Sequence, residues 1–133
     1  MVSEEMGLRR LDTLAYHLKK GILGHKIFDV SFYNSGGNPW LGERGDALGE
    51  CPIIWDEWIF DKQGYPVYKG YPNSFLSAMR FFDCNEELTL HLFYAFEQQP
   101  LLYGGRRISL TSTAEEVANN IYSYLSLKTK KVC

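Results

Sequence analysis

The stretch from Cys51 to Tyr71 constrains the fold most. Ile53, Trp55, Glu57 and Ile59 alternate with Ile54, Asp56, Trp58 and Phe60, and β-branched and aromatic residues dominate, which is strand chemistry. Asp61-Lys62-Gln63-Gly64 supplies a turn, with Gly64 free to take the left-handed conformation of a bulged hairpin. The pattern predicts a β-hairpin. Pro66 puts its second strand at an edge, because proline cannot donate to a ladder. A strand that sets tryptophans beside Asp56 and Glu57 must turn some of them to an open face, and such a face suits recognition.

The flanking segments divide between helix and strand. Leu8, Leu11, Leu14, Ala15, Leu18 and Ile22 recur at helical steps, which predicts a helix over 3–20, with acids at its start, lysines at its end and Gly21 as its stop. Lys26–Tyr33 alternates, with Phe28, Val30 and Phe32 on one face, and reads as a strand. Residues 34–49 read as a long Gly-rich loop carrying Trp40. Residues 73–83 read as a short helix capped by Asn73, with a strand as the alternative. Leu88–Glu97 alternates Leu88, Leu90, Leu92, Tyr94 and Phe96 on one apolar face and is expected to be a central strand. Leu101–Leu110 reads as a strand broken at Gly104-Gly105. A last helix opens on a capping box, Thr113 with Glu116, and buries Ala114, Val117, Ala118, Ile121 and Leu125. The expected architecture is a single α+β domain over 1–133. It has a mostly antiparallel sheet of about 4–6 strands with the N- and C-terminal helices packed on it.

Charge is distributed unevenly. The formal net charge is −2, yet six acids (Glu43, Asp46, Glu50, Asp56, Glu57, Asp61) face one base, Arg44, between Glu43 and Asp61. A local negative field of this kind argues for a basic partner or a cation and against nucleic acid. No run approaches the ~20 apolar residues of a membrane helix. The polar, acidic start has no signal-peptide core, so a cytoplasmic location is expected.

Chemical signatures are absent. The histidines are His17, His25 and His91, without zinc-type spacing, and the three cysteines, Cys51, Cys84 and Cys133, lack metal-type spacing. There is no Gly-x-Ser-x-Gly elbow and no regular calcium loop. Asp56 and Glu57 are adjacent on a predicted strand and point to opposite faces, so they cannot act as a pair. No catalytic residue, cofactor or metal ligand is assigned.

The expected function is therefore non-enzymatic binding of a basic protein. Trp40, Asp46, Glu50, Asp56, Glu57, Trp58 and Asp61 would form the contact surface across the 34–50 loop and the hairpin. A small acidic α+β chain without an active site has the profile of bacterial immunity or antitoxin proteins, which neutralise toxin nucleases; this is an analogy of style, not a motif match. The alternative is a small enzyme or ligand-binding domain with a pocket between sheet and loop, lined by His25, Tyr33, Trp55 and Glu57. Oligomeric state is left open.

Overall fold

The computed structural model describes residues 3–35, 40–95 and 108–130. The chain runs α1 (Glu4–Lys20), β1 (Ile27–Phe28), β2 (Arg44–Gly45), α2 (Ala47–Ile54), β3 (Trp58–Phe60), β4 (Pro66–Tyr68), α3 (Ser74–Phe81), α4 (Glu86–Phe93) and α5 (Ala114–Lys130). Among the described residues there are five helices and two small two-stranded sheets, not a mostly antiparallel sheet of 4–6 strands. The α+β architecture expected from the sequence is corrected accordingly. Helices, rather than a central sheet, build the core.

The long terminal helices frame the molecule. Ser3 caps α1 by accepting the Met6 N–H, and Leu11, Leu14, Ala15 and Leu18 are buried, as the stripe predicts. Ile22, placed on the same stripe by spacing, is exposed beyond the end of the helix. Thr113 and Glu116 exchange both bonds of the capping box at the start of α5, at 2.9 and 3.1 Å. Val117, Ala118 and Ile121 are buried. Lys19 at the end of α1 meets Glu115 and Asn119 at the start of α5, while Lys128 near the end of α5 meets Glu4. The two helices are therefore antiparallel.

The central segments depart from the strand pattern. Leu88–Glu97 is not a strand: Glu86–Phe93 is α4, and residues 96 and 97 lie outside the described residues. Asn85 caps it by accepting the Leu88 N–H at 2.8 Å, and Glu86 and Glu87 lie in the first turn, where carboxylates favour a helix. Leu88 and Leu92, four apart, are buried together, and Leu90 is half-buried on the flank. Cys51–Ile54 is not strand either; it completes α2, which Asp46 caps through the Gly49 N–H. Of Lys26–Tyr33 only Ile27–Phe28 is strand, paired parallel to Arg44–Gly45. The Asp29 carboxylate then accepts the Ser31 N–H and turns the chain, which leaves Phe32 exposed. The broken strand expected over 101–110 falls outside the described residues up to Arg107, and Ile108–Leu110 is not strand.

The hairpin and the 73–83 helix stand. Trp58 pairs with Tyr68, Ile59 with Val67 and Phe60 with Pro66, antiparallel. Asp61 Oδ1 accepts the N–H groups of Gln63 and Tyr65, and Gly64 takes φ 86° in the turn. Asn73 accepts the Leu76 N–H and starts α3. Trp58, Tyr68, Phe81, Phe82 and Phe93 then form an aromatic core, with neighbouring ring centroids 5.0–6.4 Å apart.

This packing gives a test. Leu92→Ala should cost about 2–5 kcal/mol by opening a cavity. Leu90→Ala should cost clearly less, because Leu90 is half-buried on a helix flank. Urea melts of both variants check this, and equal losses would restore a two-faced strand.

Candidate functional site

The most unusual chemistry in the chain is a polar cluster sealed inside it. His25, Asn34, Asp46 and Glu50 are all buried, with His25 2 % and Glu50 1 % exposed. His25 and Asn34 come from the segment around β1, and Glu50 from the first turn of α2, whose N-cap is Asp46. Glu50 Oε1 accepts the Gly24 N–H at 2.6 Å, and Oε2 accepts the His25 N–H at 3.3 Å. Oε2 also lies 2.5 Å from His25 Nδ1.

Asn34 fixes the protonation state of the ring. Its amide nitrogen donates to the carbonyls of Trp40 and Gly64, and its Oδ1 accepts the Gly42 N–H. That orientation leaves Oδ1 facing His25 Nε2 at 3.0 Å, so Nε2 is the donor. Nε2 therefore carries a proton, and the raised His25 pKa favours a second one on Nδ1, the imidazolium form paired with the Glu50 carboxylate. Burial pulls the His25 pKa down, but hydrogen bonds to Glu50 and Asn34, with the charge of Glu50, outweigh it and raise the value.

Asp46 behaves differently. Burial pushes its carboxyl up to about 8, against the hydrogen bond from Gly49 and the charge of His25. Near neutrality it is largely an uncharged acid. Two glycines let the backbone come this close: a Cβ at Gly45 would sit 2.5 Å from the His25 ring, and one at Gly49 would overlap the Tyr33 carbonyl.

The residues expected to form one acidic surface are split by the fold. Asp46 and Glu50 are inside, as above, and Trp58 is core at 2 % exposed. Trp40 is 76 % exposed, beside the hairpin turn to which Asn34 ties its carbonyl. Asp56 and Glu57 are exposed before the first hairpin strand, and Asp61 is half-buried at the turn, at the other end of the ladder. Of the six acids in the charged window, two face inward, and Glu43, Asp56, Glu57 and Asp61 carry the outward charge.

The pocket expected from His25, Tyr33, Trp55 and Glu57 is not formed. His25 is sealed, Trp55 packs on Phe81 and Phe82, and Glu57 is exposed. Tyr33 alone of the four lines an open cleft of about 390 Å³, beside the hairpin turn and the start of α3. The Cys51 thiol is buried, donates to the Ala47 carbonyl, and is pushed well up in pKa by burial, which does not suit a nucleophile. Among the described residues no group of three or more His, Cys, Asp or Glu side chains is placed to hold a metal ion, and no helix is long and apolar enough to cross a membrane. The chain matches no protein-family model, no curated protein and no solved structure.

The cluster predicts a pH dependence. Asp46 has an ordinary value of 3.8 when unfolded and about 8 when folded, so between these limits the folded chain holds a proton the unfolded chain has lost. Stability must fall as pH rises across that range. His25, raised above 6.5, acts in the same direction: its contribution is complete below 6.5 and is lost as pH climbs through the folded value. Urea midpoints should decline from about pH 5 to about pH 8. Asp46→Asn keeps an acceptor for the Gly49 N–H, and should flatten the decline and raise stability near pH 8. An unchanged slope in that variant would contradict the assignment. Glu50→Ala should cost about 3–5 kcal/mol, because it strands a buried imidazolium.

Proposed function

We propose that this chain is a non-enzymatic, cytoplasmic protein-binding protein that engages a basic protein partner. The observation that carries the reading is Trp40. A tryptophan left 76 % exposed, on backbone tied by Asn34 to the core and to the hairpin turn, has the form of an interface anchor on a preorganised support. Leu41 and Tyr65, also exposed, extend the apolar area near it. Glu43, Asp56, Glu57 and Asp61 supply negative charge around this region and at the base of the hairpin, which would steer and select a basic surface. The polar cluster that most resembles catalytic machinery is closed to solvent, and its hydrogen bonds are spent between its own side chains and on the backbone. A toxin domain neutralised by an immunity-type protein is the partner class that fits a small acidic binder.

Affinity capture from the source organism, with the retained protein identified, made recombinantly and measured for binding, tests this. Trp40→Ala should weaken binding by about 2 kcal/mol or more, mainly through faster dissociation, with no change in melting temperature. Asp56→Lys and Glu57→Lys should slow association, less so at high salt as the Debye length shrinks to ~3 Å at 1 M. A captured partner that binds wild type and Trp40→Ala equally would sink the reading.

A further inference from the structure

The open cleft that the sealed polar cluster leaves beside the hairpin turn has a chemistry of its own. Tyr33, Tyr65, Pro72 and Phe75 form its walls, and Asp61, Gln63 and Asn73 its polar rim. The rings of Tyr33 and Tyr65 meet nearly at right angles, 78°, with centroids 5.9 Å apart, so they make a corner rather than a flat plate. The Tyr33 hydroxyl is held by the Tyr94 hydroxyl at 2.6 Å, which fixes one wall. Asn73 spends its Oδ1 on the α3 cap, which leaves its amide nitrogen, like the Tyr65 hydroxyl, with no hydrogen-bond partner among the described residues. Asp61 spends Oδ1 on the turn in the same way and keeps Oδ2 unpaired among the described residues. The cleft is thus aromatic-walled and rich in donors, and among the described residues Asp61 is its one charged lining residue.

That combination specifies an occupant. A polyproline II segment is apolar and presents unpaired backbone carbonyls, while its prolines have no N–H to satisfy. Proline rings fit corners between aromatic side chains, and the free donors of Tyr65 and Asn73 match the carbonyls. A cationic side chain flanking the prolines complements Asp61, and the stacking of a guanidinium on Tyr65 adds to it. We propose that the cleft between the hairpin turn and the start of α3 binds an extended, proline-containing segment that carries a basic residue. The segment belongs to the protein partner, so the assignment of its source rests on the protein-binding reading above. The chemistry of the cleft does not.

The test uses the full chain and a synthetic capped peptide of six prolines followed by arginine, titrated by amide NMR. Shifts should concentrate at Tyr33, Gln63, Tyr65 and Asn73–Leu76, away from α1 and α5. Replacing the prolines with alanine should abolish them, and replacing the arginine with glutamine should weaken binding. Asp61→Asn keeps the acceptor for the turn, and should lower affinity about two- to five-fold and remove its salt dependence. Tyr65→Phe keeps the wall, loses the donor and should weaken binding by a similar factor. Thermal melts confirm that both variants are folded. Equal binding of the alanine peptide, shifts centred elsewhere, or no shifts up to the solubility limit of the proline peptide would each overturn the proposal. Peptide binding retained while Trp40→Ala leaves partner binding intact would remove the Trp40 surface and keep the cleft. The converse would remove the cleft and keep the surface.

Discussion

The buried pair of His25 with Glu50 is the joint on which the middle of the chain depends. The described residues of 21–46 contain little regular structure, a two-residue parallel ladder, which is too little sheet or helix to hold them. Their backbone polar groups still need partners when buried. The cluster supplies them: Glu50 takes the amides of Gly24 and His25, and Asn34 takes one amide and two carbonyls. One ion pair and one amide thereby fix the chain after α1, the loop before β2 and the hairpin turn against one another. Desolvating the two charges is costly and is offset by the hydrogen bonds that His25, Glu50 and Asn34 make with one another and with the backbone. Such an arrangement is weak as a source of stability and strong as a specification of one conformation.

Elements whose caps and stripes agree were legible in the sequence. Both terminal helices, the short helix after Asn73 and the hairpin turn follow from capping residues, spacing and turn chemistry that all point the same way. Apolar alternation misleads where it conflicts with a capping signal. Leu88, Leu90 and Leu92 alternate like a strand, but Asn85-Glu86-Glu87 is an N-terminal helix signature, and eight residues can satisfy both patterns in letters. The helix won because Leu88 and Leu92 reach the same core from adjacent turns. Pro52 and the pair Ile53-Ile54 similarly argue for strand, while Asp46 is an N-cap residue type and accepts the Gly49 N–H at the start of α2.

The site was half legible for a different reason. Formal charge counts every carboxylate as if it faced water. Glu50 and Asp46 were counted in an acidic surface, yet one is neutralised by His25 and the other by a proton. The available sign was the glycines: Gly42, Gly45 and Gly49 read as a loose loop but mark close approach, with Ser35, the His25 ring and the Tyr33 carbonyl respectively occupying the space a side chain would need. A lone histidine and a lone asparagine, nine residues apart in irregular chain, carry no sequence signal of their pairing.

The same cluster explains why contact chemistry sits where it does. Asn34 holds the Trp40 and Gly64 carbonyls, so the exposed indole and the hairpin turn are positioned by one buried side chain. Tyr33, the residue before Asn34, is placed by the same anchor, with its carbonyl against Gly49 and its ring against Tyr65 and Tyr94. The Trp40 surface and the aromatic cleft are therefore not independent pieces of surface. Both are cantilevered from Asn34, and the ordering entropy that a flexible loop would lose on binding has been spent in folding.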